Sequence, residues 1–170
     1  MKARSKPKIL LDTNILIHAF IDLTQLATVE YDERVRSKIA KQIFFDTKSV
    51  KVILDFQIQV EVPRVLTKFI LKYGLVNPTK LTITINCYKN MERIIDELEE
   101  LGMACKSSIW DAPEILRRAA GLWRRHVNAT GREPRHQDII ILAATQQAKA
   151  ILITTDANIN NYIKTLGLDI

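Results

Sequence analysis

Lys8-Ile9-Leu10-Leu11-Asp12-Thr13-Asn14 is an apolar run cut off by three polar turn-formers. It is too short for a helix and reads as a buried strand that feeds a helix from about Ile15 to about Ala27. The same grammar returns near the other end, where Ile151-Leu152-Ile153 runs into Thr154-Thr155-Asp156. Between them, Val50 to Leu54 is another apolar, β-branched strand. Helical periodicity fills the intervals. Tyr31 to Asp46 carries Val35, Ile39, Ile43 and Phe44 at three-to-four spacing, and Gln57 to Tyr73 carries Val62, Val65, Leu66, Phe69 and Ile70 before Gly74. Pro63 suits a first turn, so that second helix is placed with its start near Glu61.

Further along, Asn77-Pro78 marks a helix start and Met91 to Leu101 is helical up to Gly102, although Thr82-Ile83-Thr84-Ile85 alternates like a strand. Pro113 to about Asn128 is a helix with Gly131 beyond its end, Asp138 opens a helix from Ile139 to about Ala148, and Asn158 to Leu166 is a short one. Leu168 to Ile170 is a candidate edge strand. Strands separated by helices predict an α/β fold, a central parallel sheet with helices on both faces.

Neither a repeat nor a Gly/Ser/Pro-rich linker divides the 170 residues, so residues 1–170 read as a single domain. A chain of this size buries enough surface to dispense with disulfides. Cys87 and Cys105 form no framework and no metal-binding pair, and they read as buried thiols in a reducing compartment; the cytoplasm is the expected location. Asp12 stops the first apolar run far too early for a secretory signal. No run approaches the eighteen or so apolar residues of a membrane span, so a soluble protein with no membrane partner is expected. The net charge of +6 favours an anionic partner, nucleic acid first among them, and is equally at home on a solubilising surface.

In a parallel sheet, ligands gather outside the carboxyl ends of the strands. Asp12 and Asp156 each follow a strand directly, Glu61 follows the second strand, and Asp138 begins the helix before the last strand. Four acids are expected to converge on one edge. Each also has a plain reading: an Asx-turn or helix cap for Asp12, Asp138 and Asp156, and a solvated surface acid for Glu61. Crowded together, however, four carboxylates would repel by an amount on the order of several kcal/mol, a cost without purpose unless a cation sits among them. Oxygen ligands with no Cys or His cluster suit Mg²⁺ or Mn²⁺ better than Zn²⁺.

The blocks Leu10-Leu11-Asp12-Thr13-Asn14-Ile15-Leu16, Val60-Glu61-Val62, Asp138-Ile139-Ile140-Ile141-Leu142-Ala143-Ala144-Thr145 and Leu152-Ile153-Thr154-Thr155-Asp156 resemble, in order, the signature blocks of PIN-domain nucleases, most closely the toxin ribonucleases of VapBC toxin–antitoxin systems. The resemblance implies a three-layer PIN-like fold and a metal-dependent endoribonuclease. In it, Asp12, Glu61, Asp138 and Asp156 bind one or two Mg²⁺ or Mn²⁺ ions and a metal-activated water cleaves RNA to 5′-phosphate and 3′-hydroxyl ends. It implies a small antitoxin protein and a second copy of the chain as partners. Thr13, Asn14 and Thr155 match polar positions that hold the carboxylates, or else cap helices. Asn158 stands where many relatives carry a further acid, Pro63 is unusual beside Glu61, and the segment from Glu61 to Asp138 is longer than in compact toxins. The alternative is a PIN domain with weak or no catalysis that binds RNA or protein. A phosphatase built on an aspartyl nucleophile needs a second Asp two residues after the first, where this chain has Asn14.

The densest basic stretch contains Arg117, Arg118, Arg124, Arg125, Arg132 and Arg135, the last two approaching Asp138 and thus candidates to hold RNA phosphates. Trp110 and Trp123 are candidates for stacking a base, although Trp123 is spaced like a core residue, and His126 and His136 are read as structural or surface histidines.

Overall fold

The computed structural model describes residues 6–20, 31–46, 50–54, 56–72, 80–100, 104–106 and 112–170. The chain is α/β. In order it forms β1 (Lys8–Leu11), α1 (Thr13–Phe20), α2 (Tyr31–Asp46), β2 (Lys51–Leu54), α3 (Phe56–Lys72), α4 (Lys80–Glu100), β3 (Ala104–Lys106), α5 (Ala112–Thr130), α6 (His136–Ala148), β4 (Ile151–Ile153) and α7 (Ala157–Leu166). All strand pairs are parallel, and the sheet order is β3-β2-β1-β4. From β1 the chain steps outward through β2 to β3, then crosses back to place β4 on the other side of β1. The direction of winding therefore reverses between β1 and β4, and their carboxyl ends flank the crevice where such sheets bind ligands.

Burial follows the sequence pattern. Leu10, Leu11, Val52 and Ile53 are buried in the sheet. Ile58, Val62 and Leu66 bury one stripe of α3, and Met91, Ile94 and Leu98 bury a stripe of α4. Helix α6 is different: Ile139, Ile141, Leu142, Ala143, Ala144 and Thr145 are all buried, which makes it a central helix apolar around most of its circumference. No described helix is long and apolar enough to cross a membrane.

Several elements depart from the sequence expectations. Helix α1 starts at Thr13, two residues earlier than expected, because the Asp12 carbonyl already accepts the Leu16 N–H at 3.0 Å; the expected stretch to Ala27 lies outside the described residues. Helix α3 starts at Phe56, so Pro63 sits in its interior instead of its first turn. A proline there removes one ladder donor, and its own carbonyl is taken by the Thr67 hydroxyl at 2.8 Å. The Thr82–Ile85 alternation is helical, since the β-branched penalty in a helix is small and packing of α4 along α3 outweighs it.

Helix α6 begins at His136 with Arg135 as its N-cap, which puts Asp138 inside the first turn and not at the cap. Strand β3 was not foreseen. The expected edge strand from Leu168 does not form; instead the Leu168 N–H closes α7 on the Ile163 carbonyl at 3.0 Å. The Asn77-Pro78 start and Trp110 fall outside the described residues.

Candidate functional site

Strand β1 delivers Asp12 to the crevice, and the Asp12 N–H continues the pairing with β4 by donating to the Ile153 carbonyl at 3.0 Å. Its side chain is only 4% exposed. One oxygen, Oδ2, accepts the Thr154 hydroxyl at 2.8 Å, so the loop after β4 holds the acid that follows β1. The Thr154 hydroxyl in turn accepts the Asp156 N–H at 3.0 Å, a local turn that fixes its rotamer. Asp156 is half-buried and is the N-cap of α7, its Oδ1 accepting the Asn158 N–H at 2.6 Å. The plain reading as a cap therefore holds for one oxygen of Asp156.

Glu61 comes from α3, one residue from the buried Val62, and is half-buried. Its Oε2 accepts the Thr13 hydroxyl at 2.9 Å, while Oε1 lies 3.5 Å from the Arg64 guanidinium. Thr13 is thus a buried strut between the start of α1 and α3. Asp138 is carried inward by α6: it is the first residue of the buried segment of that helix and is 8% exposed. Its Oδ2 is sealed from solvent without a hydrogen-bond partner. A buried carboxylate oxygen left in this way is costly unless something that the chain does not itself provide completes it.

The four acids act on one another. Burial pushes the Asp138 carboxyl up to about 6, and the charges of Asp156, Asp12 and Glu61 push in the same direction against the opposing pull of Arg135. Burial likewise raises Asp12, opposed by the Thr154 hydroxyl and the Thr13 backbone N–H and reinforced by the charges of Glu61 and Asp156. Among the described residues, no three His, Cys, Asp or Glu side chains stand at a spacing that closes round a metal ion. The donor chemistry nevertheless fits a hard divalent cation: four carboxylates from four elements, an orphaned buried oxygen on Asp138, and burial with neighbouring negative charge that raises the Asp12 and Asp138 carboxyls.

The other expected residues separate into two groups. Thr13 is in the site. Asn14 and Thr155 are exposed, and Thr154, one residue earlier, performs the carboxylate-holding role assigned to Thr155. A Thr two residues before an Asp at a strand end is the turn signal that marks it. Arg135 is exposed and close enough for its charge to act on Asp138. The loop bearing it is tied down: His126 Nδ1 donates to the Arg132 carbonyl at 3.0 Å, and the Arg135 N–H donates to the Tyr162 hydroxyl at 3.4 Å. Tyr162 meets the His126 ring edge-on at 4.9 Å, so the buried His126 is structural.

Much of the basic stretch is spent on the fold. Arg117 and Arg118 pair with Glu114, Arg118 also donates to Gln147, and Arg125 donates to the Leu166 carbonyl at 2.6 Å. Trp123 is partly buried against the core and lies parallel to His136 with ring centroids 6.4 Å apart. Neither a protein-family model nor a curated protein matches this chain.

Proposed function

We propose that the protein is a divalent-metal-dependent endoribonuclease with a three-layer PIN-like fold, in which Asp12, Glu61, Asp138 and Asp156 form the metal-binding and catalytic centre. The observation that carries the reading is the buried Asp138 carboxylate, one oxygen unpartnered, facing three further acids at the point where the sheet reverses its winding. The resemblance of the four sequence blocks to PIN nucleases supports it, as does the surplus of basic residues for a polyanionic substrate. A Mg²⁺ or Mn²⁺ ion bound by these acids would supply positive charge for the phosphate and would lower the pKa of a bound water.

The chain's own residues do the rest. Thr154 and the Thr13 N–H fix Asp12, Thr13 and Arg64 fix Glu61, and the α7 cap fixes Asp156 with one oxygen committed and the other left over. Such outer contacts set the direction of each lone pair before substrate arrives. Arg135, at the N-terminus of α6, offers a cation to the RNA phosphate, and the His126 and Tyr162 contacts keep its backbone in place. The role as the toxin half of a toxin–antitoxin pair, with a small antitoxin and a second copy as partners, rests on the sequence resemblance.

Labelled single-stranded and hairpin RNAs incubated with Mg²⁺, Mn²⁺ or EDTA test the proposal. Cleavage is expected with either metal and none in EDTA, with 5′-phosphate products. No cutting with either metal, or equal cutting in EDTA, sinks it. The open spacing of the carboxylates favours one second reading, a PIN-like domain that holds RNA without cutting it; binding without cleavage in the same assay identifies that case.

Thr154→Val keeps the β-branched shape but removes the hydroxyl that holds Asp12. Turnover is expected to fall about 10–100-fold, as for other outer-sphere partners of metal ligands, with little change in RNA affinity. Unchanged turnover in steady-state kinetics removes Thr154 from the site.

A further inference from the structure

The amino edge of the sheet, opposite the acids, carries a different kind of feature. A cavity of about 600 Å³ opens where β1 and β2 begin and α6 ends, and Lys6, Lys8, Lys51 and Lys149 line it together with Gln147. Among the described residues, no carboxylate and no aromatic ring lines it. All four lysines are exposed, and among the described residues none of them forms an ion pair.

Two further observations make this more than a solvated surface. Lys8 and Lys51 are register partners on adjacent parallel strands, so two like charges are placed side by side at strand spacing. Paired like charges weaken a sheet unless an anion lies between or above them. Lys149 is the C-cap of α6 in the left-handed region, with φ 51° and ψ 49°. Among the described residues, the other left-handed positions are Gly131 and Gly167, and Lys149 is the only side-chain-bearing residue with positive φ. Glycine adopts that conformation without a steric penalty and lysine does not. The left-handed cap closes the last carbonyls of α6 through the Lys149 N–H, and a lysine there in place of the usual glycine adds a cation to the lining of the basin at some cost in backbone strain.

We propose that this basin is a second anion site that grips the phosphate backbone of RNA away from the acid crevice. Lysine is a compact point charge suited to phosphate, and the lack of aromatic lining means the basin reads backbone and not bases. The two edges are about 13 Å apart along β1 at roughly 3.3 Å per residue, a span that an RNA strand of several nucleotides can follow over the surface. The inference rests on the reading of RNA as the substrate.

The test is fluorescence anisotropy of labelled single-stranded RNA, measured in EDTA over a salt series, for the wild type and the K8Q/K51Q/K149Q variant. Losing three phosphate contacts is expected to weaken binding about tenfold near physiological salt and to lower the log–log salt slope by about 2, at roughly 0.7 per contact on a single strand. K149G is a second variant that keeps the fold: relief of the left-handed strain raises its melting temperature while RNA affinity falls about two- to threefold. Folded variants with an unchanged salt slope overturn the proposal. So does lysine-dependent binding of inorganic tripolyphosphate by calorimetry when RNA affinity ignores the lysines, which makes the basin a site for small polyphosphates. Cleavage in Mg²⁺ by a protein whose RNA affinity ignores the triple variant overturns this inference alone; lysine-dependent binding by a protein that never cuts overturns the nuclease reading alone.

Discussion

Asp12→Asn is expected to lower RNA cleavage in Mg²⁺ by roughly three orders of magnitude while leaving a folded and more heat-stable protein. The loss is of the size seen when one central electrostatic group is removed from an active site. Asparagine has the shape of aspartate, and its amide oxygen can still accept the Thr154 hydroxyl, so the β1–β4 tie survives. What goes is a charge on a side chain that is 4% exposed and stands among Glu61 and Asp156. Burial raises this carboxyl above its ordinary value, so ionising it costs more in the fold than in the unfolded chain. Removing the charge therefore stabilises: in EDTA at pH 7 the melting temperature should rise by about 2–4 °C for each kcal/mol of repulsion relieved in a domain of this size. RNA affinity should hold or improve, because a negative charge has left the neighbourhood of a polyanion. The combination separates catalysis from folding. If the variant loses both activity and melting temperature, Asp12 is a structural cap and the site is misplaced; if it keeps its activity, Asp12 has no part in the reaction.

The convergence of Asp12 and Asp156 on one edge was legible because each ends a strand that sequence marks plainly. Ile9-Leu10-Leu11 and Ile151-Leu152-Ile153 are short apolar runs stopped by polar turns. Strand β3 had no such signal: Ala104, Cys105 and Lys106 form a three-residue strand whose membership comes from pairing with β2 and not from its own pattern. The first half of α4 was ambiguous for the opposite reason, a clean two-residue alternation in Thr82–Ile85 that tertiary packing overrode.

Within the site, residue identity was easier to read than depth. Asp138 looks like an N-cap because polar residues open helices, but α6 begins at His136 and is buried from Asp138 onward, so the helix carries the acid inside. The choice of Thr154 over Thr155 turns on which side of one peptide faces the crevice, and neighbouring threonines give composition no way to decide. The basic stretch misled in another way. Its arginines are counted equally in a sequence, whereas three of them are committed to Glu114, Gln147 and the end of α7. The lysines of the amino edge are scattered over residues 6 to 149, and only the strand register brings Lys8 beside Lys51.

Asp138→Asn should produce a loss of cleavage comparable to that of Asp12→Asn and, in addition, reshape the pH dependence of stability. The Asp138 carboxyl lies at about 6 in the fold against an ordinary value of 3.8. Between those two values the folded protein holds a proton that the unfolded chain has released. Stability therefore falls as pH rises from about 4 to about 6 and levels off above that, since stability declines with pH wherever the native state binds more protons. Thermal melts of the wild type in EDTA should trace that decline. In Asp138→Asn the decline between about pH 4 and about pH 6 that Asp138 causes disappears, leaving the contribution of Asp12 in the same direction. Mg²⁺ binds only the ionised acids, so it should raise the wild-type melting temperature more at pH 7 than at pH 5, by mass action on the folded state. The same ion should do little for the variant. A wild-type profile that is flat from pH 4 to 6, or a metal-induced shift that Asp138→Asn retains in full, removes Asp138 from the centre. Because the melts need no substrate, they decide whether the buried acid with the orphaned oxygen is a cation ligand even before a cleavage sequence is found.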